Sequence, residues 1–502
     1  MELALDFCDV FCCGSSEEKK AVIPLDCSIV LPDYFPDVMK ILRYTAKTVK
    51  LPVFSEGGAE TVSGNVNIEV SYVSEEGELC SCSQLRTFSH SFECSGKVSA
   101  SECSVKVDEI GCRAVNKRRI DLHGNIEISL RLLFGEEKSV LNSAKGAGAV
   151  CKNKSEEIIV PVGEFFKTFT VEEKGETEDG MPPVGKIIRT ETFAEISECH
   201  VIQDKIVTKG DVNVRILWVP ESDEEGENGT FVSDFSYPVS RMTEAEGVLL
   251  TDICDARYEA DFPEISVFGN GKGFDIKVRT GIFARVYRKE TKDYIADIFS
   301  SDYESKAEKS VVEVINGAIP VSEKETVYEK FDLPEAVCAV TDMWLEAEEP
   351  LLSNEGKIIL KAKLCMFAKD SDKNPVYFEK ELERSISIQT GGRKIVFHNL
   401  SAVVEKTEFS FEKEGKAEIS SSVLIDGTVY TALSTEAVTA CSIDMERKIE
   451  HRDAALILCY AEKGEEIWEI AKKYGVSPKD IMEENKIEGE FINSRTMLVI
   501  TQ

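Results

Sequence analysis

The chain has 502 residues, enough for about three or four domains of ordinary size. Apolar residues make up 42% and aromatics 8%, which supplies packed cores and excludes general disorder. With 91 acidic against 59 basic side chains the formal charge is −32, a field that repels phosphate backbones and anionic lipid and excludes nucleic acid as a natural partner.

The N-terminus, MELALDFCDVFCCGSS, has neither a basic leader nor an unbroken apolar stretch, because Glu2, Asp6 and Asp9 interrupt it. No later window approaches the roughly 18 consecutive apolar residues of a membrane-spanning helix. The expectation is a chain that stays in the cytosol, with no membrane span and only peripheral membrane contact. Leu3, Phe7, Val10 and Phe11 share one helical face, so residues 1–20 read either as a segment with a docking helix or as a terminus packed on the first domain.

An internal repeat then organises the chain. Gly64 to Val73 reads GNVNIEVSYV and Gly210 to Val219 reads GDVNVRILWV, an offset of 146 residues (210 − 64). Upstream, Pro36-x-x-x-Lys40-Ile41 falls against Pro182-x-x-x-Lys186-Ile187 at the same offset. A further 146 residues lead to Gly356 and GKIILKAKL, a third copy that lacks the upstream element. Alternating apolar positions rich in Val, Ile and aromatics predict strands with one buried face, and each repeat carries a second such group, starting at His123, Gly273 and Gly415. The fold class is therefore mainly β. Three tandem β-rich repeats are expected over 21–155, 160–310 and a divergent 320–450, with acidic runs such as Glu75 to Glu78 and Glu221 to Gly229 as solvated hairpin tips.

The pattern changes over 454–502. A strand-like ALILCYA leads into GEEIWEIAKKYG, whose Ile467, Ile470, Ala471 and Tyr474 follow helical spacing. Gly475 suits the helix end, Ser477 and Pro478 start a second short helix ending near Asn485, and MLVI closes as a strand. The order is β-α-α-β.

Chemistry leaves little trace. Gly269-Asn-Gly271-Lys-Gly273 lacks the Ser or Thr and the helix of a phosphate loop and reads as a hairpin turn. No nucleophile elbow, metal-binding helix or calcium loop occurs, so no catalytic residue, metal ligand or cofactor is expected and the chain reads as a non-enzyme. Sixteen cysteines are dispersed without paired C-x-x-C knuckles and only five histidines stand far apart, so most cysteines should be buried small apolar thiols. Cys8, Cys12 and Cys13, near the terminus, are the candidates for oxidative cross-linking between chains if exposed.

The module in GEEIWEIAKKYGVSPKDIMEEN resembles a LysM domain. That resemblance implies binding of N-acetylglucosamine-containing glycans such as peptidoglycan in a shallow groove between the loop before the first helix and the loop after the second. Carried onto this sequence, the groove is Gly464, Glu465, Glu466, Ile467 and Trp468 on one side and Phe491, Ile492, Asn493 and Ser494 on the other, for a glycan or a docked protein. The family's usual Gly-Asp-Thr or Gly-Asp-Ser is Gly464-Glu465-Glu466 here, and its Pro-Gly before the last strand is Ser494-Arg495. The upstream repeats, through the P-x-x-x-K-I element and the G-x-V-x-V strand, resemble SPOCS domains. Three such units followed by LysM is the order found in spore coat morphogenetic proteins. This implies a scaffold or adaptor in the mother-cell cytoplasm, peripheral at the forespore surface, with a SpoIVA-like coat ATPase and other coat proteins as partners.

Overall fold

A computed structural model describes residues 3–501 apart from positions 52, 57, 97, 222–228, 334–336, 413–415 and 450–455. Most of the acidic run at Glu221 to Gly229 thus lies outside the described residues.

The chain builds three successive units, each of two packed antiparallel sheets. The first comprises β1 (Ala4–Val30), β2 (Val38–Lys50), β3 (Phe54–Glu56), β4 (Ala59–Ser74), β5 (Leu79–Glu93), β6 (Val98–Asn116) and β7 (Arg119–Lys145). The second holds β8 (Ala149–Glu176), β9 (Val184–Ile202), β10 (Lys205–Pro220), β11 (Phe231–Glu244), β12 (Ile253–Ala260), β13 (Glu264–Phe268) and β14 (Gly273–Ser300). The third holds β15 (Tyr303–Asp332), β16 (Val337–Ala347), β17 (Leu351–Leu352), β18 (Lys357–Asp370), β19 (Pro375–Ser387), β20 (Lys394–His398), β21 (Ser401–Glu412) and β22 (Lys416–Lys448). In each unit a sheet centred on β4, β10 or β18 faces one centred on β7, β14 or β22, which holds the unit's longest strands. Alternating side chains from both sheets close the cores, such as Val66, Ile68 and Tyr72 against Ile120, Leu122 and Ile128 in the first unit. The other two cores form in the same way.

The repeated strands are therefore β4, β10 and β18, each central in its sheet. Lys40 and Ile41 lie opposite Val73 and Tyr72, while Lys186 and Ile187 lie opposite Val219 and Trp218, the same register 146 residues on. Tyr72 and Trp218 are both fully buried, and the Tyr72 hydroxyl donates to the Pro36 carbonyl at 3.1 Å. The glycines are not equivalent throughout. A Cβ at Gly210 would meet the Glu195 carbonyl oxygen at 1.9 Å and one at Gly64 the Val49 carbonyl oxygen at 2.4 Å, so close strand approach requires glycine. Gly356 instead sits in the turn before β18 with φ +78°, a left-handed position.

The boundaries expected at 20/21, 155/160 and 310/320 carry no linkers. β1, β8 and β15 run through them as strands of 27, 28 and 30 residues. β1 pairs with β7, β8 with β14 and β15 with β22 along nearly their whole length, so each pair extends beyond its unit as a ribbon. The three ribbons pack into one stalk. Its core joins Val10 and Val140 to Ile158, Tyr294, Val312 and Ala437, one set from each unit.

The N-terminal docking helix is corrected here, because residues from Ala4 onward form β1. Val10 is buried in the stalk while Phe7 is 42% exposed. The helical spacing lost to the continuous ladder that β7 offers, a non-local partner that overrides local propensity. Cys12 and Cys13 are also buried, at 0% and 8% exposure, so the cross-linking expectation fails for both, and Cys8 is only half-buried. Gly269 to Lys272 forms the turn joining β13 to β14, with positive φ at Gly269, Asn270 and Gly271, as the turn reading expects.

Contacts between units close a ring around a cavity of about 2240 Å³. Arg43 and Lys47 of the first unit bind Glu346 of the third at 2.7 and 2.8 Å. Arg189 of the second binds Asp342 of the third at 2.7 Å, with side chains 4% and 0% exposed. Lys186 binds Glu78 of the first at 2.7 Å. The rest of the chain, β23 (Ile457–Ala461), α1 (Ile467–Tyr474), α2 (Pro478–Asn485) and β24 (Thr496–Ile500), forms a small module at the stalk.

Candidate functional site

The C-terminal module owes its shape to local signals. α1 ends at Gly475, which adopts the left-handed conformation at φ 67° and donates its backbone N–H to the Ala471 carbonyl. α2 starts at Ser477, whose hydroxyl accepts from the Lys479 N–H at 3.2 Å, with Pro478 in the first turn. The Asn485 side chain then ties α2 to β24, donating to the Val499 carbonyl and accepting from the Val499 N–H, both at 2.7 Å.

The loops before α1 and after α2 are held together by backbone hydrogen bonds. The Gly464 N–H donates to the Ile492 carbonyl at 2.8 Å, the Ile492 N–H to the Glu465 carbonyl at 2.9 Å, and the Ile467 N–H to the Glu490 carbonyl at 2.9 Å. Gly464 sits at φ +90° with open space where a Cβ would be, so glycine serves the backbone there. These bonds bring the two predicted groove segments side by side, with Glu466 bridged to Phe491.

Residues 462–501 match the LysM domain model. This module is a LysM domain. The assignment points to recognition of peptidoglycan or related N-acetylglucosamine glycans, and no curated protein or solved structure matches the chain.

The nine predicted groove residues divide into two sets. Gly464, Glu465, Phe491, Asn493 and Ser494 are exposed, Phe491 at 54%. Ile467, Trp468 and Ile492 are core residues of the LysM domain, and Glu466 is half-buried in an ion pair with Lys152 of β8. Trp468 is thus no free docking surface. Its ring meets Phe299 edge-on at 5.2 Å and its indole N–H donates to Asp297 Oδ2 at 2.8 Å. Its apolar area is covered by the chain's own stalk, which the module's sequence pattern could not show.

Asp297 is the hub of that attachment, and sequence reasoning missed it. It lies on β14 beside a register shift that follows Ile295, and it accepts from Trp468, from Lys472 of α1 at 2.7 and 3.0 Å and from Lys309 of β15 at 3.2 Å. Burial alone would raise its carboxyl, but the bonds from Lys472, Trp468 and Lys309 outweigh it and hold the group below the usual carboxylate range. A lone aspartate in a strand 171 positions from Trp468 carries no sequence signal for such a role.

The ring cavity holds a second polar cluster, with His398 Nε2 at 3.0 Å from Glu102 Oε1. No group of three or more metal-binding side chains occurs among the described residues. No helix among them is long and apolar enough to cross a membrane.

Proposed function

We propose that the chain is a non-catalytic scaffold whose LysM domain binds N-acetylglucosamine-containing glycan such as peptidoglycan, presenting it at a fixed orientation on the stalk. The observation that carries this reading is the division of the groove. One face of the LysM domain is taken by Asp297, Phe299 and Lys152, while the two zippered loops leave Glu465, Phe491 and Asn493 facing solvent. An exposed aromatic beside backbone and amide polar groups suits a pyranose, which offers an apolar face and a rim of hydroxyls. Sedimentation of the full-length chain with purified peptidoglycan tests the reading. Co-sedimentation that Phe491→Ala reduces about tenfold is expected, and a chain that stays in the supernatant overturns it.

A second reading makes the same molecule an adaptor in spore coat assembly, tethering a SpoIVA-like coat ATPase and other coat proteins at the forespore surface from the mother-cell cytoplasm. What favours it is the pairing of three two-sheet units, two of them in a 146-residue register, with a C-terminal LysM domain, the order in which SPOCS units and LysM occur in coat morphogenetic proteins. Three units multiply contact surfaces along one chain. Normal coat encasement after deletion of the gene in a spore-forming host would rule this reading out.

A further inference from the structure

Two cysteines of the second unit interact through their side chains across its two sheets. Cys199 lies on β9 in the smaller sheet of the second unit, and Cys254 lies on β12 in the larger. Their side chains are hydrogen-bonded to each other, and both pack on Ile206, Ala245, Val248, Ala284 and Val286. Both are half-buried, so a small reagent can reach them, unlike Cys12 or Cys13 in the stalk.

We propose that Cys199 and Cys254 form an intramolecular disulfide when the chain meets a small-molecule disulfide, making the pair a redox modification site that staples the two sheets of the second unit. The Cys199 thiolate attacks one sulfur of the external disulfide, forming a mixed disulfide and releasing one thiolate. Cys254, on losing its proton, attacks Cys199 Sγ and releases the second. Two protein thiols are oxidised, one external disulfide is reduced to two thiols, and the protein's protons pass to the released thiolates.

The order of attack follows from the contact. The hydrogen bond from Cys254 lowers the Cys199 thiol against the opposing effect of burial, whereas Cys254 is raised by the same bond. Burial pushes Cys82 and Cys365 up to about 12, which leaves them inert. β9 also carries Arg189, so the staple would brace the strand that joins the second unit to the third.

The test exposes the full-length reduced chain to oxidised glutathione, quenches with alkylating agent and maps the peptides. The expected product links Cys199 to Cys254 with loss of two hydrogens, while exposed Cys338 carries glutathione alone. In Cys254→Ser, Cys199 should hold a trapped glutathione. Stable glutathione on both residues of the wild-type chain, or two free thiols when Cys338 is fully modified, overturns the proposal, and neither result depends on that variant folding.

Discussion

The guanidinium of Arg189 lies 4.1 Å from the centroid of the Trp344 ring, and that of Arg43, its counterpart 146 residues earlier, lies 5.3 Å from the same ring. Two equivalent arginines from the first and second units thus converge on one tryptophan of the third, each with a carboxylate partner there, Asp342 for Arg189 and Glu346 for Arg43. Cation–π attraction adds to ion pairing where both groups are desolvated.

Arg189→Ala leaves Asp342 buried without its guanidinium partner. It is expected to cost about 3–5 kcal/mol, the usual cost of orphaning one partner of a buried pair. Combining it with Asp342→Leu should recover part of that loss. Guanidinium denaturation of the single and double variants checks the coupling, and equal losses in both would remove the pair from the account.

Stability at this junction should fall in acid. Burial would raise the Glu346 carboxyl, but Lys47 and Arg43 outweigh it and hold the group far below its ordinary 4.5. A depressed folded-state value means a contribution fully present above about 4.5 and lost as pH falls through the folded value. Asp297 acts in the same direction at the LysM attachment. Glu346→Gln should therefore lower stability at neutral pH and flatten its decline below pH 4.5. Denaturation midpoints measured across the acid range show whether the two curves converge.

Trp468→Phe retains a ring against Phe299 but removes the indole donor to Asp297, at an expected cost of about 1.5–3 kcal/mol for a hydrogen bond to a charged group. Amide hydrogen exchange should accelerate in α1 and leave the three β units unchanged. Unchanged exchange in α1 would show that this bond does not hold the domain.

Thiol labelling of the native reduced chain should modify Cys338 first and leave Cys12 and Cys13 unmodified until denaturant is added. Both are buried, and burial raises their thiols to about 11 and about 12. Mass spectrometry of the alkylated peptides reads the order.

Much of the secondary structure was written locally. Alternation at Val66, Ile68 and Val70 and again at Val212, Val214 and Ile216 fixes strand faces without reference to distant residues, and the 146-residue offset places both at the centre of their sheets. Gly475, Ser477 and Pro478 define the helix ends of the LysM domain because capping is a contact over a few residues. The two groove loops follow from those helices.

Tertiary structure alone decided the rest. Val10 reads as helical until β7 offers Lys138 opposite it, 128 positions along the chain. Cys199 and Cys254 meet only because β9 and β12 belong to facing sheets. Asp297 gains its role, and Trp468 loses its exposure, only when the LysM domain settles on the stalk. Periodicity records which face of an element is apolar. What covers that face is set by ladders and packing between segments far apart in sequence, where no local pattern of residues reaches.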